Sequence, residues 1–229
     1  MIVVVYNPAK VSTDAYAQGA AKARYKIGAN SVRKMAEGLG AYGDHSISTL
    51  IIADHGASGV QGVGSGQSHD FSFGTNLSAE YIKASTAKVS GEPIEGATTW
   101  GPVPMMAVMM LLAKESFSSS AQSEYIDVIA RKIKIGGNLL LAGCSVGSGD
   151  EGKNLLKSLG LSLQNSIRVV GSEHETSWTD LTQPVIYPAR YSPYRKLTPS
   201  DVIGYMGMRQ LGDSELQSVL DDTNILSTG

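Results

Sequence analysis

The chain is poor in sulfur chemistry, with one cysteine, Cys144, in 229 residues. A single cysteine closes no internal disulfide, so it is either a small buried hydrophobe or a reactive thiol, and a reducing, cytoplasmic setting is the expectation. Long apolar runs are missing as well. The run after Met1 holds four residues, with no basic segment ahead of it and no small-residue cleavage pattern after it, which argues against a signal peptide. The patch over 103–113 contains Pro104 and four methionines, and it falls well short of the roughly 20 residues that span a bilayer. No membrane association is expected.

Charge of one sign is also lacking. The chain has 19 basic and 21 acidic residues, a formal charge of −2, and no run of five like charges. A nucleic-acid arm or an acidic tail is therefore excluded, and nucleic acid is not an expected partner. The four histidines, His45, His55, His69 and His174, lack H-x-x-x-H or cysteine-pair spacing, so neither a metal site nor a cofactor is expected. Ser58, Ser145 and Ser148 lie outside any G-x-S-x-G elbow, which argues against a serine hydrolase. There is no internal repeat.

What is present is a 42% hydrophobic composition, enough for one substantial core. Apolar runs at residues 2–6, 48–53, 139–142 and 167–170 read as buried strands. Between them, helical patterns are expected at 31–39 behind an Asn30-Ser31 cap, 77–88, 105–117, 120–133 and 151–159. Residues 56–76 hold six glycines and read as a loop or hairpin, with a short edge strand near 69–73. The expected closing signal of the 120–133 helix is Gly136-Gly137. This alternation predicts an α/β domain with a mostly parallel central sheet flanked by helices, spanning residues 1–197. Residues 198–229 form an extension with a cap at Thr198-Pro199-Ser200-Asp201 and a short helix at 214–220.

Two chemistries overlap in GGNLLLAGCSVGSGDEGKN, residues 136–154. Gly147 to Lys153 has the spacing of a phosphate-binding loop, G-x-x-x-x-G-K, after a strand and before a helix. Asn154 stands where the magnesium-binding Ser or Thr belongs, and Asp150 and Glu151 would repel phosphates from inside the cradle. Carboxylates at that place also suit the first turn of a helix, with Asp150 as its cap. The second chemistry is a thiol site. Ligands gather at the C-terminal ends of parallel strands, and His55 and Cys144 both follow apolar runs. If those strands are neighbours, a histidine beside a thiol can promote the thiolate. The N–H groups of Gly56 and Cys144 are the candidate oxyanion donors.

The blocks LIIADHG (50–56) and GGNLLLAGCSVG (136–147) resemble the two signatures of the caspase-like cysteine peptidases, the clan of caspases, gingipains, clostripain and the self-processing protease domains of bacterial toxins. In that clan an apolar strand ends in His-Gly and a later one ends in Cys, in this order. The resemblance covers residues 1–175 and implies a caspase-like three-layer sandwich. It further implies a cysteine endopeptidase acting on a protein or peptide, without cofactor, through a dyad of His55 as general base and acid and Cys144 as nucleophile. Self-processing is part of what it implies. Asp54 points away from His55 if the strand continues through it, and is not expected to join the dyad. Where metacaspase-like members carry Asp two residues before the cysteine, this chain has Ala142, and Glu173 and Glu175 are the expected substrate-binding carboxylates. The segment after Trp178 either completes the sheet and pocket wall or occupies the cleft as an inhibitory segment. A catalytically silent caspase-like domain that binds partners remains the alternative of a different class.

Overall fold

The computed structural model of the chain describes residues 1–63, 72–74, 122–163, 166–177, 185–186 and 195–224. Its frame is a seven-stranded sheet built on β1 (Ile2–Tyr6), β2 (Lys26–Gly28), β3 (Ile47–Ala53), β7 (Ile133–Leu141) and β8 (Arg168–Ser172). These five run parallel, in the spatial order β8-β7-β3-β1-β2. Strands β12 (Val202–Met206) and β13 (Arg209–Gln210) extend the β8 edge antiparallel. The central strands are apolar on both sides because both sides are covered. Ile51, Ile52, Leu140 and Leu141 are all almost completely buried, each side chain contributing about 1.5–3 kcal/mol on leaving water.

One sheet face carries α2 (Val32–Leu39), α3 (Gln122–Lys132) and α4 (Gly149–Ser162), through Met35 and Leu39, Ile126 and Ile129, and Leu155, Leu156 and Leu159. The other carries α1 (Ala15–Ala20) and α5 (Asp213–Asn224), through Ala20 and through Leu216, Val219 and Leu220. The protein is thus a mixed α/β fold with helices on both faces of a mostly parallel sheet. The expected α2 forms where the sequence signals it. Ser31 is its N-cap and accepts from the Lys34 N–H at 3.2 Å, and Val32, Met35, Ala36 and Leu39 form its buried stripe.

Several boundaries differ from expectation. The predicted strand at 48–53 begins one residue earlier, at Ile47. The 120–133 helix ends at Lys132, and β7 begins directly at Ile133, so Gly136-Gly137 lies inside a strand rather than closing a helix. The register with β3 shifts there, between Ile47 and Thr49. Strand β2 interrupts the region ahead of α2 and was not foreseen. Helix α4 is longer than 151–159, and Ser148, not Asp150, occupies its N-cap, while Asp150 and Glu151 sit in the first turn. A short strand near 69–73 exists as β6 (Ser72–Gly74). The helices expected at 77–88 and 105–117 lie outside the described residues.

Residues 198–224, expected as an extension, supply two strands of the central sheet and a helix on its face. A 3-10 turn, Pro199–Asp201, leads into β12, and its Thr198–Asp201 capping box forms as read from the sequence. Helix α5 is anchored through buried polar groups: Asp222 Oδ2 accepts from Thr49 Oγ1 at 3.0 Å and from Asn138 Nδ2 at 2.8 Å. At its other end the Glu215 carboxylate takes both terminal nitrogens of Arg209, at 2.8 and 2.9 Å, and the Gly212 N–H at 3.2 Å. This pairing holds the Glu215 carboxyl down at about 2. Among the described residues no helix is long and apolar enough to cross a membrane.

Candidate active site

Parallel strands deliver their C-terminal ends to one rim, and in this sheet β3 and β7 are direct neighbours, paired as far as Ile52 with Leu141. His55 and Cys144 follow these two strands. At the strand ends Ala53 and Ala142 belong to the layer under α1 and α5, and each candidate residue lies two positions further on. Cys144 packs against that layer, partly buried. The His55 ring meets Asp14, the residue just ahead of α1 on the same side, with Nε2 2.5 Å from Oδ2.

The glycines beside the two residues bring the backbones into contact. A Cβ at Gly143 would stand 2.8 Å from Gly56 Cα, so only hydrogen at this position allows the two loops to close up. After His55 the chain forms a hairpin of β4 (Gly56–Ala57) and β5 (Val60–Gly62), to which β6 adds. The hairpin is bonded to the loop that carries Cys144. Gln61 Oε1 accepts the Gly143 N–H at 2.8 Å, the Gly59 N–H donates to Val146 O at 3.2 Å, and Ser58 Oγ donates to Ser148 O at 2.6 Å.

A third loop joins from β8. The Ser145 N–H donates to His174 O and the Gly147 N–H to Ser172 O, both at 2.8 Å. Glu173 and Glu175 flank His174 on this loop, the first partly buried and the second exposed. The Cys144 thiol donates to the carbonyl of Thr176 at 3.3 Å, at the start of β9 (Thr176–Ser177). With β10 (Val185–Ile186) and β11 (Arg195–Lys196), β9 forms a small antiparallel sheet. Ser145, directly after the thiol, has φ of 54°, in the left-handed region, where a non-glycine residue costs about 1–2 kcal/mol. Strain of this kind concentrates at functional sites.

The structure therefore gathers His55, Gly56 and Cys144 at one rim and puts Glu173 and Glu175 on the adjoining loop. Asp54 is turned to other work: its Oδ1 accepts the backbone N–H of His55 at 2.8 Å and lies 3.8 Å from Lys10 Nζ. Three neighbours of the site were not foreseen, namely Asp14, Gln61 and Thr176. The available signal for Asp14 was its place in the connection after β1, which must open at the same rim.

The phosphate-loop segment has the strand, turn and helix of that motif, and several N–H groups in and just before it are engaged within the protein. Those of Ser145 and Gly147 serve the β8 loop, while those of Ser148 and Gly152 serve Ser145 O and Ser148 O. A Cβ at Gly152 would lie 2.3 Å from the Gly147 carbonyl carbon, so this glycine is required by close packing of the loop on itself. Among the described residues no cluster of three or more His, Cys, Asp or Glu is arranged to hold a metal.

Fold and site define an α/β protein with a thiol, an imidazole and two glycine-lined loops at the carboxyl rim of its sheet. Comparison with protein-family models, curated proteins and solved structures found no match.

Proposed function

We propose that the protein is a caspase-like cysteine endopeptidase in which Cys144 is the nucleophile and His55 the general base and acid. The observation that carries this reading is the adjacency of β3 and β7, which sends both residues off neighbouring strand ends. In the reaction, His55 takes the thiol proton and the sulfur attacks the scissile carbonyl carbon, forming a C–S bond and a tetrahedral oxyanion. The N–H groups of Gly56 and Cys144 are assigned to that oxyanion. Collapse breaks the C–N bond, and the amine leaves with the proton from His55. Water, deprotonated by His55, then hydrolyses the thioester, and the thiol is restored. Glu173 and Glu175 are assigned to a cationic substrate side chain, and the chain's own peptide bonds are among the proposed substrates.

The second reading, a silent caspase-like domain that binds protein partners, draws on the thiol's hydrogen bond to Thr176 O, which directs the S–H at a backbone carbonyl. Nucleotide binding draws no comparable support, since Asp150 and Glu151 stand in the first turn of the helix and the N–H groups of Gly147, Ser148 and Gly152 are taken by protein carbonyls.

The test is labelling by iodoacetamide together with cleavage of fluorescently labelled casein. Cys144 is expected to label, and His55→Ala to slow labelling and abolish cleavage. Normal cleavage by Cys144→Ala would end the peptidase reading, and labelling independent of His55 with no cleavage by the parent chain would favour the silent domain. Binding of ATP with magnesium, lost in Lys153→Ala, would restore the phosphate loop.

A further inference from the structure

We propose that Asp14 is the positioning residue for His55, holding the ring as the Nε2–H tautomer so that Nδ1 receives the proton of Cys144; the inference rests on the peptidase reading above. Its basis is the contact between Asp14 Oδ2 and His55 Nε2, made across 41 residues of sequence. The two partners are unequally exposed, the imidazole side chain at 57% and the carboxylate at 13%. A ring reachable from solvent is thus tied at one nitrogen to a group sheltered beside the sheet.

Asp14 is itself held. Its N–H donates to Lys10 O at 2.9 Å and its carbonyl accepts from the Gln18 N–H at 3.0 Å, which makes it the N-cap residue of α1. An ionised carboxylate only accepts, so the nitrogen facing it carries the proton and the lone pair of a neutral ring falls on Nδ1. When the thiol proton passes from sulfur to Nδ1, the imidazolium forms next to the Asp14 carboxylate. Asp54, adjacent in sequence, accepts the backbone N–H of His55 through Oδ1 and lies 3.8 Å from Lys10 Nζ.

Asp14 also suits the capping of α1, and the test must separate the two roles. Serine caps a helix nearly as well as aspartate but is too short and uncharged to hold the ring. The full chain and its Asp14→Ser, Asp14→Asn, His55→Ala, Cys144→Ala and Asp14→Ser/His55→Ala variants are compared. Three quantities are measured: kcat and KM on the best substrate from a set of fluorogenic peptide amides, the iodoacetamide alkylation rate of Cys144, and the ring 15N shifts of His55.

Asp14→Ser is expected to keep the parent Tm and KM, to lower kcat roughly 10- to 100-fold, and to lose the single Nε2–H signature in the 15N spectrum. Asp14→Asn, which keeps an acceptor without the charge, is expected to fall between. The double variant is expected to be no slower than His55→Ala alone, because Asp14 acts through the ring. Parent-like kcat and 15N shifts in Asp14→Ser, with His55→Ala inactive, overturn this inference and leave the peptidase reading intact. Undiminished turnover by Cys144→Ala overturns both.

Discussion

Gln61 reaches from the hairpin behind His55 to accept the backbone N–H of Gly143 at 2.8 Å, and its amide nitrogen donates to Gly62 O at 2.9 Å within the hairpin itself. The side chain is fully buried, so these bonds form away from water. One buried side chain thereby bridges the two loops that carry the imidazole and the thiol.

Replacing Gln61 with Leu keeps the volume and removes the acceptor. The Gly143 N–H is then buried without a partner, at a cost of about 1–3 kcal/mol. Urea denaturation is expected to show a lower midpoint with an unchanged m-value, and the iodoacetamide rate at Cys144 to change with it. An unaltered midpoint would mean that the remaining bonds between the loops, Gly59 N–H to Val146 O and Ser58 Oγ to Ser148 O, suffice to hold them.

Gly143→Ala tests the contact from the other side. The added methyl would meet Gly56 Cα and Val146 Cγ2 at 2.8 Å and Gln61 Oε1 at 2.9 Å. Two of these neighbours belong to the hairpin and one to the loop of Cys144, so the methyl pushes the loops apart, with a penalty of roughly 1–3 kcal/mol as for other overpacking changes. A thermal melt at the parent Tm would contradict it.

Ser145→Gly is expected to raise stability. At φ of 54° serine pays for its Cβ, whereas glycine does not. The gain is reduced by the greater freedom of glycine in the unfolded chain, leaving about 0.5–1 kcal/mol. Ser145→Val is expected to destabilise. The pair of melts checks both signs, and a cleavage assay on the glycine variant shows whether the rigid left-handed residue serves the thiol.

Acid sensitivity should include a contribution from Glu215. Its carboxyl is depressed to about 2 in the fold, chiefly by the hydrogen bonds from Arg209, against an ordinary value of 4.5. A depressed carboxylate contributes stability that is complete above 4.5 and is lost as pH falls toward 2. The pair is at the surface, so the contribution is small. Glu215→Gln is expected to lower the denaturation midpoint at pH 7 and to converge with the parent near pH 2. Parallel curves for the two chains would show that the pair does not titrate as described.

Strands and helix-start signals were legible where a local cause sufficed. The apolar runs at 2–6 and 48–53 became β1 and β3, Ser31 capped α2, and Thr198 with Asp201 closed a capping box. Boundaries failed where the deciding contact was remote. Ile133 leaves a helix for a strand because Ile47 of β3 lies beside it, and β12 is a strand because the β8 edge accepts it. Neither partner is visible in a local pattern.

By itself the sequence determined that apolar runs would be buried as strands, that a lone thiol and a His-Gly pair would follow two of them, and that acidic residues would open the helix beyond the thiol. Only the tertiary structure decided that those two strands are neighbours, that Asp14 meets the imidazole, and that the N–H groups of Ser145 and Gly147 bond to the β8 loop. The reason is physical. Burial and capping act over a few residues along the chain, whereas a sheet's order and the hydrogen bonds between its loops join residues up to 90 positions apart, and which of them meet follows from how the whole sheet packs.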